Sequence, residues 1–584
     1  MNDDTIRRKI SRYLKKQGHS SIQIDITQGI VSLQGAVNSY EEYIEIGSFI
    51  GTLDQVHGIV NNLKYPGRTR KKRTKSIVNS DIGTADIVII GAGVIGSAIA
   101  RELSKYQYSI IVVEKEADVC CGASKANNAL VHTGIGEPIG SLKQQLCAQG
   151  HKMFKELAKD LQVPYQETGM WMVTREKSFN PFFLPSRIRK FLSKYVLQLI
   201  ILHRGKQLGI PLNRVALDTF QQIEPHANHD ILSALFSPTY ALTNPYLFTI
   251  ALAENASVNG VQFLLQTEVI GFNIKDNKVK HVHTTKGIIQ TSMVINATGL
   301  YADEVAEMAG ACEYTIHPKK GAIILFDYNL NKFLTHPLSC VEFPQPLNYK
   351  GGGVLYTIEG NIQWGPTILE CEDKTDESVT QQDIDEMIQR YLPLFPCLKK
   401  ESIIQFFSGV RACSFTEDFI IRPATQIQGF IHVAGIQSPG LTAAPAIAKM
   451  VSDILRDLGW NLKRRVEFKP LRHGLKSLKE CSLSEKQRYI LDYPKYGNII
   501  CRCELVSEGE LIDAIHSPIP VTTIDGLKRR TRIGMGRCQG GFCLLEAARI
   551  LSRETGIPLE LITKKGENSH LFIGPAKCLL RGDL

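Results

Sequence analysis

The chain has 584 residues, of which 43% are hydrophobic and 22% charged, with 47 glycines and 25 prolines. This composition is typical of globular proteins and excludes a collagen-like, coiled-coil or disordered chain. Because single hydrophobic cores stop growing at roughly 250–300 residues, we expect several domains. No apolar run approaches the roughly 18 residues needed to cross a bilayer, the longest candidate lying near residues 195–202. The N-terminus lacks the apolar core of a secretory signal, which predicts a cytoplasmic protein.

The net charge of +10 is unevenly distributed along the chain. Residues 68–75 include six basic residues and no acidic one, and from Arg456 onward there are 23 basic and 15 acidic residues. We interpret the first run as a solvated hinge and expect no nucleic-acid partner, because no aromatic platform or nucleic-acid motif accompanies it. Contact with anionic lipid, and hence peripheral association with the inner face of a membrane, stays open.

Residues 1–65 alternate between helical and strand periodicities in the order helix–strand–strand–helix–strand. The strand parts follow the patterns V-x-L-x-G-x-V at 31–37 and V-x-G-I-V-x-N-L at 56–63. These patterns resemble a BON domain, which implies a small α+β domain that attaches to a membrane or ligand or has a structural role. Residues 66–84, with Pro, Gly, Ser and the basic run, read as a linker.

A glycine-rich loop follows the first strongly apolar strand of the next region. Ile87–Ile90 is a β-branched run suited to a strand buried on both faces, and a helix is predicted over 97–106. In the loop between them the first glycine permits a tight turn, the second lets the backbone approach a pyrophosphate, and the third lets helix and strand pack closely. The loop residues are Gly91, Ala92, Gly93, Val94, Ile95 and Gly96.

A second apolar strand, Ile110–Val113, ends at an acidic residue. The carboxylate of Glu114 can accept hydrogen bonds from ribose hydroxyls, and we count its neighbour Lys115 with it among the cofactor-binding residues. Strand, glycine loop, helix, strand and acid in this order predict a dinucleotide-binding site.

Two later segments distinguish FAD from NAD. Residues 293–299 form a strand that ends in Ala297, Thr298 and Gly299, and residues 430–445 read as strand, turn at Gly435 and helix start at Gly440, Leu441 and Thr442. The N-terminus of such a helix can face the flavin edge where negative charge develops on reduction. One FAD threaded through three segments explains all of them, whereas NAD leaves the last two unexplained.

Residues 85–455 resemble the D-amino-acid oxidase superfamily of flavoproteins, in particular FAD-dependent glycerol-3-phosphate dehydrogenases and oxidases, with L-2-hydroxyglutarate oxidases as relatives. The resemblance is carried by residues 124–134, 350–354, 360–367 and 408–412. It implies a Rossmann-type domain with non-covalent FAD that also contacts Ser124, Asn127 and Asn128. It further implies an α+β substrate domain, mostly from residues 151–290 and 315–405, that caps the flavin.

Oxidation of a secondary alcohol requires a base for the hydroxyl proton while hydride moves to the flavin. The resemblance implies that His132 is this base, since imidazole is a neutral acceptor near pH 7. A histidine after a strand can equally be a packing residue.

Arg411 and Lys350 match the family's cations for a phosphate or carboxylate, and Ser438 could donate a hydroxyl. Without the resemblance these are two surface cations and a turn serine. Asn128 replaces a small hydroxyl residue that glycerol-3-phosphate oxidases tend to carry, which leaves substrate specificity open.

Four of the fourteen cysteines form two tight pairs, Cys501 with Cys503 and Cys538 with Cys543. Zinc prefers C-x₂₋₄-C spacing, so a C-x-C pair and a basic, glycine-rich surrounding favour an anionic iron–sulfur cluster. The segment CRCE…GRCQGGFC resembles the BFD-like [2Fe-2S] domain, also found in large subunits of anaerobic glycerol-3-phosphate dehydrogenases. It implies a small helical domain at 496–560, between a connector (456–495) and a tail (561–584). Zinc and unliganded thiols are the alternatives.

Together these observations predict an FAD and [2Fe-2S] dehydrogenase that oxidises a small anionic hydroxy compound, with sn-glycerol 3-phosphate as the leading substrate. An oxidase needs no cluster, so we expect a separate acceptor, either a protein or quinone-linked. The alternatives are a 2-hydroxy acid or amino acid substrate, and a non-catalytic flavin-binding scaffold. The oligomeric state is not predicted.

Overall fold

A computed structural model describes residues 3–68, 78, 80–179, 184–343 and 352–574. Its α-helices are α1 (Asp3–Lys16), α2 (Tyr40–Gly51), α3 (Val94–Leu103), α4 (Leu142–Asp160), α5 (Ser186–Phe191), α6 (Leu197–Leu208), α7 (Leu217–Ile223), α8 (Pro245–Val258), α9 (Ala302–Met308), α10 (Gln381–Tyr391), α11 (Gly440–Asp457), α12 (Leu483–Asp492), α13 (Glu508–Ile515), α14 (Ile524–Thr531) and α15 (Leu544–Thr555). Its strands are β1 (Gln23–Thr27), β2 (Ile30–Ala36), β3 (Gly58–Lys64), β4 (Asp81–Thr84), β5 (Ile87–Ile90), β6 (Ile110–Val113), β7 (Leu130–Val131), β8 (Tyr165–Glu167), β9 (Met170–Thr174), β10 (Asn213–Val215), β11 (Ser233–Ser237), β12 (Ala241–Thr243), β13 (Gln262–Leu264), β14 (Val269–Lys275), β15 (Lys278–Thr284), β16 (Ile288–Gln290), β17 (Met293–Asn296), β18 (Ile316–Phe326), β19 (Leu338–Cys340), β20 (Gly353–Tyr356), β21 (Ile362–Gly365), β22 (Leu369–Glu370), β23 (Ile403–Ser414), β24 (Ile420–Pro423), β25 (Phe430–Ala434), β26 (Ile499–Cys501) and β27 (Val506–Ser507).

The N-terminal unit has the predicted order α1–β1–β2–α2–β3. Strand β1 is antiparallel to β2, and β2 is parallel to β3. The unit does not stand apart as a separate body, because Phe415 of the following region is 3% exposed and packs within its core. A Cβ on Gly47 would lie 2.4 Å from the Phe415 ring, so the glycine permits this close approach. The backbone N–H of Thr315 also donates to the Ile59 carbonyl at 2.8 Å.

The dinucleotide sheet has the strand order β13-β6-β5-β17-β25-β24. All neighbours in it are parallel except β24 and β25. Strands β5 and β6 are apolar and buried throughout, as predicted for strands covered on both faces. Helices α3, α4, α8 and α11 cover one face, and the sheet β14-β15-β16-β4 covers the other. The helix predicted over 97–106 begins earlier, at Val94, because the end of the glycine loop already forms its first turn.

A second large sheet caps the dinucleotide layer, in the order β10-β11-β9-β19-β20-β21-β18-β22, with β23 paired to β18. The substrate domain was expected to draw on residues 151–290, but the structure assigns part of that range to the other layer. Helix α8 lies in the core beside α3, and β13 joins the dinucleotide sheet. This placement fits the composition of α8, which is apolar around most of its circumference. Such a helix is stable only where neighbouring elements cover most of its sides.

The C-terminal unit is mainly helical, with α13, α14 and α15 around a small core and the short hairpin β26–β27. The architecture confirms the predicted class: a Rossmann-type α/β domain with an α+β cap, a small α+β unit before it and a small helical unit after it. Among the described residues, no helix is both long enough and apolar enough to span a membrane.

Candidate active site

A cavity of about 790 Å³ lies between the dinucleotide sheet and the cap. Its volume is within the range of cofactor and ligand sites. Most of the predicted cofactor and substrate residues line it. These residues are Gly91, Gly93, Val94, Ile95, Glu114, Lys115, Ser124, Asn127, Asn128, His132, Ala297, Thr298, Gly299, Arg411, Ser438, Gly440 and Leu441.

The glycine loop has the geometry that a bound pyrophosphate requires. Gly91 has φ +99° and faces β17 so closely that a Cβ would lie 2.7 Å from the Ala297 carbonyl oxygen. Gly96 does not line the cavity; a Cβ there would lie 1.8 Å from the Gly91 carbonyl oxygen, so it serves helix–strand packing. The N–H of Val94, at the start of α3, donates to Ser124 Oγ at 2.9 Å. Helix N-terminus and serine together form a polar cradle for phosphate.

Glu114 is fixed by the backbone around it. Its two carboxylate oxygens accept hydrogen bonds from the N–H groups of Ala92 at 2.7 Å and Glu116 at 3.0 Å. Burial raises its pKa, against the lowering effect of these bonds. The neighbouring Lys115 lies over the Tyr301 ring, with its Nζ 4.0 Å from the ring centroid.

The last helix of the dinucleotide domain, α11, begins at the cavity wall. Gly440 and Leu441 line the cavity, whereas Gly435 and Thr442 do not. Gly435 has φ +66° and provides the turn after β25. Thr442 instead holds a residue of the cavity wall, since its Oγ1 accepts the backbone N–H of His132 at 3.0 Å.

His132 follows β7 and is half-buried at the cavity wall. Its ring meets that of Tyr240 edge-on, with centroids 6.3 Å apart. Burial raises the pKa of Tyr240 to about 12, so this neighbour is neutral at physiological pH. The backbone of His132 is held on both sides, because its carbonyl oxygen accepts the Cys147 thiol at 3.5 Å.

Arg411 lies on β23, opposite Lys319 of β18, and reaches the cavity under the cap. Its Nη1 is buried and has no hydrogen-bond partner among the described residues. Burial lowers its pKa, although Cys413 and Glu417 oppose the shift. A buried guanidinium nitrogen without a partner, beside a cavity, is a ready site for an anion. Ser438 lines the same cavity, whereas Lys350 lies outside the described residues, so the expectation for it stays a prediction.

Asn127 and Asn128 belong to the loop that β23 crosses. The Asn127 side chain donates to the Ser124 carbonyl at 3.0 Å, and the Asn128 carbonyl accepts the buried Gln363 amide at 3.0 Å. Gly409 allows this crossing, because a Cβ would lie 2.5 Å from the Ala126 carbonyl oxygen. The loop is therefore clamped between the dinucleotide domain and the cap.

Some cavity residues come from the C-terminal unit and were not predicted from the sequence. Asp525, Arg529 and residues 565–568 line the cavity together with the expected set. The excess of basic residues in this part of the chain was visible in the sequence, but no spacing rule indicated which of them line the cavity.

The four cysteines of the C-terminal unit come together as two hydrogen-bonded thiol pairs, Cys543 with Cys501 and Cys503 with Cys538. The hydrogen bond from Cys543 lowers the pKa of Cys501. Backbone N–H groups also point at the sulfurs, that of Gly534 at Cys501 and that of Gly540 at Cys538. Gly536 leaves room for the pair, since a Cβ there would lie 2.4 Å from the Cys503 Cβ.

The donor sets fit both predicted groups. In the described part of the chain, no three His, Cys, Asp or Glu side chains converge on one metal position. Two thiol pairs with backbone N–H donors suit an anionic iron–sulfur cluster. The glycine cradle, the α3 N-terminus and the Arg411 Nη1, which has no partner among the described residues, suit an anionic dinucleotide and an anionic substrate.

Comparison with known families and proteins agrees with this geometry. The family "FAD dependent oxidoreductase" matches residues 86–454, the "BFD-like [2Fe-2S] binding domain" residues 499–553 and the "BON domain" residues 2–67. A glycerol 3-phosphate dehydrogenase of Caloramator mitchellensis is 37% identical over 84% of this chain and 99% of its own length. One subunit of the anaerobic glycerol-3-phosphate dehydrogenase of Escherichia coli K12 is 23% identical over 81% of this chain and 89% of its own length.

A solved structure of dithionite-reduced L-alpha-glycerophosphate oxidase from Mycoplasma pneumoniae, with FAD bound, superimposes with a TM-score of 0.60. It is 27% identical, and the match covers 67% of this chain and 98% of that one. The cofactors are thus FAD and a [2Fe-2S] cluster, and the chain is an enzyme rather than a flavin-bearing scaffold. The chain belongs to the family of FAD dependent oxidoreductases.

Proposed function

We propose that this enzyme oxidises sn-glycerol 3-phosphate to dihydroxyacetone phosphate and passes the electrons through the [2Fe-2S] cluster to a separate acceptor. The observation that carries the proposal is the buried Arg411 Nη1 at the cavity, which has no hydrogen-bond partner among the described residues. A phosphate or carboxylate of the substrate supplies the acceptor that this guanidinium lacks.

His132 is proposed as the base that takes the hydroxyl proton of the substrate. It lines the same cavity as Arg411, and its backbone is fixed by Thr442 and Cys147. The bound FAD supplies the hydride acceptor. A substrate anion held at Arg411 and Ser438 would then orient the alcohol carbon for reaction.

The cluster is proposed as the electron exit because its surroundings are open to solvent. Cys503 is exposed, and Phe542, next to Cys543 in the chain, is 88% exposed. An acceptor that docks here comes close to the cluster without entering the cavity. A one-electron carrier beside a two-electron flavin favours a dehydrogenase over an oxidase.

A 2-hydroxy acid is the second candidate substrate, since a carboxylate can occupy the Arg411 site as a phosphate does. A mitochondrial L-2-hydroxyglutarate dehydrogenase of Arabidopsis thaliana is 24% identical over 63% of this chain. The phosphate ester is favoured by the greater identity and coverage of the glycerol 3-phosphate dehydrogenase from Caloramator mitchellensis.

The test is a substrate panel for the holoenzyme under anaerobic conditions with a dye acceptor. Glycerol 3-phosphate is expected to give the highest kcat/KM, with uncharged glycerol far below it. Preference for 2-hydroxyglutarate or an amino acid would contradict the proposed substrate, while leaving the assignment to the family intact.

A further inference from the structure

The C-terminal unit reaches the cofactor cavity at two places. Helix α14 contributes Asp525 and Arg529, and the loop after α15 contributes residues 565–568. Gly566 sits against the turn that follows β6, where a Cβ on it would lie 3.3 Å from the Ala117 Cβ. That turn begins with Glu114, the carboxylate of the dinucleotide site. The unit therefore forms one wall of the cavity at its dinucleotide end.

Arg529 is the cation of this wall, and only 7% of it is exposed. Its Nη2 donates to Asp118 Oδ2 at 2.8 Å and to Cys121 Sγ at 3.5 Å, while its Nε has no hydrogen-bond partner among the described residues. Cys121 immediately precedes residues 122–124, whose Ser124 belongs to the phosphate cradle. An incompletely satisfied guanidinium thus borders the place where a pyrophosphate fits.

The fully buried ion-pair network that contains Arg529 has more cations than anions. Arg530 donates to both oxygens of Asp118 at 2.8 and 3.0 Å. Arg472 donates to Glu254 at 2.6 Å, and Arg530 Nε lies 3.9 Å from the same carboxylate. Three buried guanidinium groups therefore face two buried carboxylates. Because an uncompensated buried charge is costly, one more anion at this place would be stabilising.

We propose that the iron–sulfur unit is part of the FAD site, with Arg529 as the cation that faces the pyrophosphate and residues 565–568 as a cover over the dinucleotide end. Cofactor binding and docking of the unit then strengthen each other by the same factor. The cluster is coupled to this wall, because Arg532, the residue that follows α14, donates to Glu504, the neighbour of Cys503, at 3.0 Å. Loss of the cluster thus weakens FAD binding.

The test is titration of the deflavinated full-length protein with FAD, followed by quenching of flavin fluorescence. Arg529→Gln is expected to raise the dissociation constant about 10- to 100-fold, the range for a lost charge-assisted hydrogen bond. Arg530→Gln is the matched control, since it breaks the ion pair with the same Asp118 but does not line the cavity. Equal weakening by both variants, or unchanged FAD affinity in Arg529→Gln, would overturn the assignment of Arg529 to the cofactor.

A second pair of variants covers the case in which Arg529→Gln does not fold. Lys565 lines the cavity and is exposed, so Lys565→Ala leaves the core intact and is expected to weaken FAD binding about two- to fivefold. Arg549, on α15 of the same unit, is exposed, pairs with Glu546 and does not line the cavity, so Arg549→Ala is expected to bind FAD as the wild type does. Equal affinities of the two variants for FAD would contradict the proposal that residues 565–568 cover the FAD site.

A different observation concerns the outer surface of the cap. Helices α5 and α6 are joined by a π-helical turn, Leu192–Val196, into one helical segment of residues 186–208. The segment has no Asp or Glu and has six Arg or Lys residues. Two of the six, Arg189 and Lys190, pair with Glu176 outside the segment.

The same segment exposes large apolar side chains. Leu197 and Ile201 face the core, yet five other apolar residues on the segment are between 45% and 58% exposed. These residues are Ile188, Phe191, Tyr195, Leu199 and Ile200. A helix that is apolar on its buried side and also on its outer side is typical of one that is covered on both sides.

We infer that residues 186–208 dock on the surface of an anionic lipid membrane. Apolar side chains that enter the headgroup region, flanked by lysine and arginine without acids, are the pattern of interfacial helices. A symmetric contact with a second copy of this chain is disfavoured, because it would bring two basic segments together.

The test is co-sedimentation of the holoenzyme with vesicles of phosphatidylglycerol or of phosphatidylcholine. Binding to the anionic vesicles is expected, with Phe191→Ala plus Leu199→Ala weakening it about tenfold or more. Leu491→Ala, at a 74% exposed leucine on α12, is the control and is expected to bind like the wild type. Absence of wild-type binding to anionic vesicles would overturn the inference, as would a dimer in light scattering that Phe191→Ala dissociates.

Discussion

Replacing Phe415 with alanine tests how the N-terminal unit is held. The Phe415 side chain is 3% exposed, stacks on His317 with ring centroids 4.4 Å apart, and meets Tyr43 edge-on at 5.8 Å. Removing a buried phenylalanine costs about 3–5 kcal/mol. If the ring belongs to the core of the N-terminal unit, α2 and β3 should open locally more easily in the variant. The free energy of this opening should fall by most of the lost packing energy.

Hydrogen exchange with mass spectrometry measures that local opening. Because about 1.4 kcal/mol is a factor of ten, the amides of α2 should exchange roughly 100- to 1000-fold faster in Phe415→Ala. Phe406→Ala is the matched control, since Phe406 lies on β23, which ends just before Phe415, but is 36% exposed, and it should leave α2 unchanged. Unaltered exchange of the α2 amides in Phe415→Ala would refute the shared core and would mean that the N-terminal unit is an independent domain.

Four further predictions address the site and the cluster. His132→Ala should slow flavin reduction by substrate about 10²- to 10⁴-fold in stopped flow; wild-type rates would contradict its assignment as the base. Arg411→Met should lower kcat/KM for glycerol 3-phosphate about 10- to 100-fold, with little change for uncharged glycerol. Cys501→Ser should lose iron and sulfide on analysis and transfer to one-electron acceptors, while substrate still bleaches the flavin when the variant is supplied with excess FAD. Burial tends to raise the pKa of Glu313, but His432, Thr425 and Arg422 outweigh it and lower the pKa to about 2. The stability that Glu313 contributes should therefore be complete above about pH 4.5 and be lost as the pH falls toward 2, whereas Glu313→Gln should flatten this dependence in thermal unfolding.

The dinucleotide site could be predicted from the sequence because its chemistry is local. Turn geometry fixes where Gly91, Gly93 and Glu114 lie relative to β5 and β6, so a strand, a glycine loop and an acid in order define the cradle. The segments at 297–299 and 440–441 follow the same rule, since each is a short turn after a parallel strand. The structure brings all of them to one cavity.

Contacts between units could not be predicted in the same way. Arg529 contacts Cys121 although the two residues are more than 400 positions apart, and no sequence pattern in either segment predicts that they meet. The same holds for Phe415 in the core of the N-terminal unit, where glycines at 47 and 51 only permit the contact. The resemblance also implied a cap drawn mostly from residues 151–290 and 315–405, a range that includes α8, and the burial of α8 on most sides does not tell from the sequence which layer covers it.

The most direct test of the proposed function is anaerobic addition of glycerol 3-phosphate to the holoenzyme, with the flavin and cluster signals followed together. We predict that the flavin bleaches first and that the cluster signal then changes as electrons leave the flavin. An oxidised flavin after excess glycerol 3-phosphate, with bleaching by a 2-hydroxy acid instead, would contradict the proposed substrate. A reduced flavin beside a cluster that stays oxidised would contradict the proposed electron exit.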